Sequence, residues 1–145
     1  MQNQEMYEIL NTFWEGIEYG KGKSCAVVTL VSLARYYGME QDWLEDVATP
    51  FGGGVCHSHA CICGTLSGAL IFLGLKLGRE TSAQVGAELL DYIRSGYGST
   101  HCDEILHIDF SDAEQVQREK APKYVSVCQP VMCDVCDWIT ARIER

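Results

Sequence analysis

The chain has 145 residues, 47% of them hydrophobic and 21% charged, and a formal net charge of −9; this is one domain with enough chain for a real core, not the composition of a disordered segment. So acidic a surface repels phosphate backbones and anionic lipid headgroups, which argues against nucleic acid and membrane surfaces as partners. Eight cysteines beside long apolar helical stretches do not fit a small secreted disulfide scaffold. The start Met1-Gln2-Asn3-Gln4-Glu5 lacks the basic and apolar regions of a signal peptide, so the expected compartment is the cytoplasm, where thiols stay reduced.

The first predicted helix runs from about Asn3 to Glu18, with Met6, Ile9, Leu10, Phe13, Trp14 and Ile17 on one face; Gly20-Lys21-Gly22 ends it. Ser24 is an N-cap for a second helix, Cys25 to Tyr37, apolar almost all round and so expected at the centre of the core. Gly38 stops that helix. A short helix over Asp42 to Ala48 follows, with Asp42, Glu45 and Asp46 on a solvated face. Pro50 to Gly54 breaks the pattern, and a loop, Val55 to Ile62, leads to a fourth helix, Gly64 to Leu77. Glycines at 64, 68, 74 and 78 are places where a neighbouring helix can come close. Gly52 to Leu75 holds no charged residue, yet its apolar helical part, Leu66 to Leu75, is too short for a bilayer core of roughly 30 Å, so no membrane insertion is expected.

Ser82 caps a fifth predicted helix through about Ser95, burying Val85, Leu89, Leu90, Tyr92 and Ile93 and ending at Gly96-Tyr97-Gly98. Thr100-His101-Cys102-Asp103 has the capping-box form and opens a short helix through Leu106. Asp109 to Asp112 reads as a turn and Ala113 to Lys120 as a polar surface helix. Tyr124 to Val127 reads as a short strand without a partner, and Pro130 as the first turn of a last helix to Ile143. The fold class is all-α: a compact single-domain bundle of about six to seven helices.

Four cysteines stand where helices are predicted to begin: Cys25 after Ser24, Cys63 before Gly64, Cys102 two residues after Thr100, and Cys128 two residues before Pro130. Unpaired N–H groups and partial positive charge at a helix N-terminus favour thiolate over thiol. An iron–sulfur cluster needs four thiolates converging on one point, and inward-pointing helix dipoles would offset their charge. The bland alternative is that buried cysteine acts as a small apolar residue. Cys56, His57, His59 and Cys61 are further donors close to Cys63, and Cys133 and Cys136 lie three apart on the last helix, where they could share a face. Zinc knuckles use paired C-x-x-C, for which only Cys133 and Cys136 have the spacing; a redox dithiol could use Cys61 with Cys63, or Cys133 with Cys136. His101 and His107 read as structural. Gly52-Gly53-Gly54 could cradle an anion through its N–H groups, but no Lys or Ser/Thr follows at nucleotide-binding spacing.

With these residues in view, the chain resembles a family of redox-active proteins named for its own cysteine pattern, C-GCAxxG-C-C, over roughly Tyr19 to Ile143. The resemblance lies in Ser24-Cys25-Ala26, Phe51-Gly52-Gly53-Gly54, Cys63-Gly64-Thr65-Leu66-Ser67-Gly68-Ala69, Leu73-Gly74-Leu75, Gly98-Ser99-Thr100-His101-Cys102, and Cys128 with Val131. It implies that Cys25, Cys63, Cys102 and Cys128 are the shared cysteines and that Gly64 and Gly68 belong to the motif. Thr65 stands where the motif has alanine. Cys56, Cys61, Cys133 and Cys136 lie outside the pattern, and Cys133 competes with Cys128 for the fourth place. A related domain of a multihaem cytochrome has its cysteines associated with an iron–sulfur centre, which by resemblance implies one here; the C-x-x-C-H of covalent haem is absent, because Asp137 follows Cys136. The expectation is a redox protein with a four-cysteine centre, carrying an iron–sulfur cluster for electron transfer or redox sensing with a partner protein. A metal-free thiol–disulfide protein and a structural zinc module are the alternatives. The oligomeric state is open, a homo-oligomer being one option.

Overall fold

The computed structural model describes residues 1–14 and 23–145. Among them are eight α-helices: α1 (Gln4–Trp14), α2 (Cys25–Tyr36), α3 (Leu44–Ala48), α4 (Gly64–Leu77), α5 (Ser82–Tyr97), α6 (Cys102–Leu106), α7 (Ala113–Lys123) and α8 (Gln129–Arg142). A 3-10 turn, Thr49–Phe51, extends α3, and a π turn, Tyr124–Cys128, joins α7 to α8 without a break, so the eight segments form seven rods. Pairing of β type among the described residues is confined to an isolated bridge between Ile62 and His101. No helix among them is long and apolar enough to cross a membrane.

The centre of the bundle is the α2–α4 pair, the most extensive helix contact in the fold. Helix α2 buries Ala26, Val27, Val28, Leu30, Leu33 and Ala34, and α4 buries Leu66, Ala69, Phe72 and Leu73, so both are wrapped on several sides, as their nearly continuous apolar sequence requires. Helices α1, α5 and α8 close the core with Met6 and Leu10, Leu89 and Ile93, and Met132 and Ile139. The start of α1 is held twice. Asn3 Oδ1 accepts from Met6 N–H at 3.0 Å, and the Asp137 carboxylate on α8 accepts from the N–H groups of Gln2 and Asn3, each at 3.0 Å. The predicted continuation of the first helix to Glu18, with Ile17, and its stop at Gly20-Lys21-Gly22 lie outside the described residues.

Several boundaries differ from the sequence reading. The third helix begins at Leu44 rather than Asp42. Thr81, not Ser82, occupies the cap position of α5, and the helix runs through Gly96 to end on left-handed Gly98. The Thr100 capping box does not form: His101 holds the cap position without a side-chain bond, and the Thr100 carbonyl instead accepts from Cys63 N–H at 2.8 Å. Helix α7 passes Lys120 and carries Pro122 to Lys123, its start capped by Asp112 Oδ1, which accepts from Gln115 N–H at 3.1 Å.

The largest correction concerns residues 124–128. Tyr124 to Val127 is a π-helical turn, not a strand. Pro130 has no N–H, and its ring crowds the carbonyl four residues back. A wider turn, in which Gln129 N–H donates to Tyr124 O, relieves that crowding and lets the helix continue. Cys128 therefore lies inside one long rod, at φ −64° and ψ −44°. It does not face a free helix N-terminus, so the dipole argument does not apply to it.

Candidate cysteine centre

Cys25 is the first residue of α2, where Ser24 Oγ accepts from Val27 N–H at 3.4 Å. Cys63 is the cap residue of α4. These two starts are brought together by glycine. A Cβ on Gly64 would stand 2.5 Å from Cys25 Sγ, and one on Gly68 would stand 2.5 Å from Ala26 O, closer than any real side chain stands to such atoms. Cys102 opens α6 and is pinned to the loop before Cys63. Its N–H donates to Cys61 O at 2.9 Å, and Asp103 N–H donates to His59 O at 2.9 Å. Cys128 comes in from the π turn.

The glycine-rich loop has an unusual backbone. Gly53, Gly54, Val55, Cys56 and His57 all have positive φ, between 51° and 69°. A left-handed conformation costs a non-glycine residue roughly 1–2 kcal/mol, and here hydrogen bonds hold it: Cys56 N–H to Pro50 O at 2.7 Å, His57 N–H to Gly52 O at 3.0 Å and His59 N–H to Gly53 O at 2.8 Å. The N–H groups of Gly53, Ala26, Cys25 and Thr65 favour charge on the Cys25 sulfur, against the larger opposing effect of burial. The N–H groups of Leu66 and Thr65 act in the same direction on Cys63, again outweighed by burial.

All four thiols are half-buried and free. Burial pushes Cys63 up to about 12, with the Cys25 charge adding to it. Burial, then Cys63 and Cys25, push Cys102 up to about 12. Cys128 is raised by burial and then by Cys25, Cys63 and Cys102 in turn. Cys25 is raised by burial against its N–H donors. Every pair among the four is therefore within electrostatic reach. A cavity of about 210 Å³ opens on Cys25, Cys102 and Cys128, against the roughly 10–15 Å³ that one water needs. The one trio of His, Cys, Asp or Glu donor atoms mutually within 4.8 Å among the described residues is His101, Asp103 and Glu104 at the surface; no three of the cysteine sulfurs are mutually that close.

The raised values predict a pH dependence. In the metal-free protein Cys63 holds its proton more tightly folded than unfolded, so its contribution to stability is fully present below about pH 9. It is lost as pH rises towards about 12, at ~1.4 kcal/mol per pH unit. Thermal melting with reductant and chelator should fall as pH rises from about 9 towards about 12, and fall less steeply in Cys63→Ala. Equal slopes for parent and variant would show that Cys63 ionises freely in the folded chain.

The remaining candidates separate cleanly. His57 and His59 line the same cavity. His59 Nδ1 stands 3.5 Å from Cys102 Sγ, and its ring stacks on Phe110 at 4.0 Å. Burial, then the charges of Lys120 and His57, lower its pKa. Cys56 and Cys61 are exposed, and Cys61 Sγ lies 3.9 Å from Ser58 Oγ. Cys133 opens on a different hollow, with Tyr7, Trp14 and Val125, and is pushed up to about 11 chiefly by burial, with no charge from the four-cysteine group. Cys136 is fully buried in the core, a small apolar residue. His101 pairs with Glu104 at 3.3 Å, and His107 ends α6 in a left-handed conformation. Lys120 and Tyr124 also line the cavity. Neither stood out in the sequence, because α7 reaches the centre by folding back over it and no local spacing marks that.

Cys25, Cys102 and Cys128, from three separate elements, line one cavity, and Cys63 at the start of α4 lies within electrostatic reach of all three. The four define an all-helical cysteine-centre protein. The family model described as "Putative redox-active protein (C_GCAxxG_C_C)" matches residues 23–142, and the chain belongs to that family. No curated protein and no solved structure matches the chain.

Proposed function

We propose that this protein is a small electron-transfer or redox-sensing protein in which Cys25, Cys63, Cys102 and Cys128 hold an iron–sulfur cluster. The observation that carries this reading is the grouping of four thiols, three of them lining one cavity and Cys63 close beside Cys25, where burial and mutual repulsion oppose their ionisation. Four thiolates can coexist there only beside compensating cations, and iron supplies them. The donor set fits: thiolate is the usual cluster ligand, and the N–H groups that favour charge on Cys25 and Cys63 are the kind of contact that stabilises charged sulfur. A bound cluster would supply one-electron chemistry. The chain itself places the ligands through the α2–α4 contact, supplies N–H donors from the loop at Gly53, and covers the site with α7.

No three of the cysteine sulfurs are mutually within 4.8 Å among the described residues, whereas a single zinc ion with Zn–S bonds of ~2.3 Å holds four sulfurs about 3.8 Å apart, which favours a cluster. The raised values disfavour a metal-free dithiol, because exchange needs thiolate near neutral pH. The function is carried out with a redox partner protein in the cytoplasm, the compartment that keeps thiols reduced. Anaerobic purification followed by an absorption spectrum and metal analysis tests the reading. Visible bands with iron and sulfide are expected. Colourless protein with stoichiometric zinc would make it a structural module, and colourless metal-free protein with reactive thiols would make it a thiol–disulfide protein.

A further inference from the structure

Thr65, the second residue of α4, is 1% exposed, and its Oγ1 is buried without a completed hydrogen bond among the described residues. Proteins seldom leave a buried hydroxyl so. A helical threonine commonly bonds a carbonyl one turn back, but Thr65 Oγ1 makes no such bond here. Two residues earlier, at the cap of the same helix, the Cys63 sulfur lies within interaction reach of the hydroxyl. A neutral thiol is a weak acceptor, whereas a charged sulfur accepts strongly. The partner that the hydroxyl lacks is thus the one that a metal-bound Cys63 sulfur would supply.

We propose that Thr65 is a positioning residue for the cysteine centre: its hydroxyl donates to the Cys63 sulfur when that sulfur carries charge, and this bond sets the centre at a higher reduction potential than an apolar residue at 65 would. The inference rests on the cluster reading above. Reduction adds one electron from the mediator to the cluster and its ligating sulfurs, with no bond formed or broken and no proton moved. A hydrogen bond to sulfur strengthens as that negative charge grows, so it favours the reduced state.

Thr65→Val keeps the shape and removes the donor, and Thr65→Ser keeps the donor. A redox titration of the iron-loaded full chain, followed by its visible spectrum, should show the Thr65→Val potential lowered. The expected change is ~10-fold in the ratio of reduced to oxidised centre, or ~59 mV for one electron, with Thr65→Ser near the parent. Cadmium(II), a soft ion that binds thiolates, gives a second readout on the metal-free chain: Thr65→Val should bind it ~10–100-fold more weakly, and Thr65→Ser should restore affinity. A loaded Thr65→Val chain with the parent potential overturns the inference. If the parent forms no cluster, the cluster reading fails on its own, and cadmium then judges Thr65; equal cadmium affinity in Thr65→Val and the parent overturns the inference there too.

Discussion

Gly68→Leu should cost the protein its stability and its metal centre together. The α2 backbone passes so close to α4 that a Cβ at 68 would lie 2.5 Å from Ala26 O, 3.2 Å from Ala26 C and 3.3 Å from Ala26 Cα. Backbone cannot turn aside as a side-chain tip can, so the two central helices must part. Overpacking of this kind typically costs about 1–3 kcal/mol, a large share of a total stability on the order of 5–15 kcal/mol. Cys25 and Cys63 ride on the same two helix starts, so parting the helices separates the thiols. Gly64→Ala tests the same contact nearer the chemistry, since its Cβ would meet Cys25 Sγ at 2.5 Å. There the thiol itself must shift, and loss of iron should exceed loss of stability. Gly86→Ala is the control on α5, because its added carbon meets only the Leu70 Cδ2 tip, at 2.7 Å, and iron should stay bound. Denaturant unfolding and iron per chain measure all three. A Gly68→Leu chain with parental stability and parental iron would show that this contact does not place the centre.

Cys128→Ser should abolish iron binding, while Cys133→Ser should leave it close to the parent. Both residues lie on the α7–α8 rod, five positions apart, but only Cys128 shares the cavity of Cys25 and Cys102 and the electrostatic field of Cys25, Cys63 and Cys102. Serine keeps the size and removes the soft sulfur that iron prefers. Neither change removes a large core side chain, so stability of the metal-free chains should alter little. Iron, sulfide and the visible spectrum of each purified variant decide the matter. Full iron in Cys128→Ser with loss in Cys133→Ser would give Cys133 the fourth place.

Much of this architecture is legible from short stretches of chain. Helices α2 and α4 announce themselves by continuous apolar sequence, by the Ser24 cap and by Gly38 and Gly78 beyond their ends. Cys25, Cys63 and Cys102 stand at helix starts because those starts are encoded within a few residues of each. What short-range pattern could not decide is where the rods go. Cys128 and Cys133 are equivalent by spacing; the π turn forced by Pro130, and the return of α7 over the cavity, set one beside the centre and the other against α1. Residues 53–57 read as a glycine-rich loop, yet their left-handed course depends on hydrogen bonds to Pro50 and Gly52 and on the pinning of the following segment to residues 100–103. Lys120 carries no sign of its place beside the thiols. Caps, periodicity and breakers act through hydrogen bonds and side chains a few positions apart, so sequence alone determined the helices and their ends to within a few residues. Convergence of Cys25 with Cys128 spans most of the chain, and it exists only once the α2–α4 contact and the closing of α7–α8 over it have buried enough apolar surface to hold the thiols in one place.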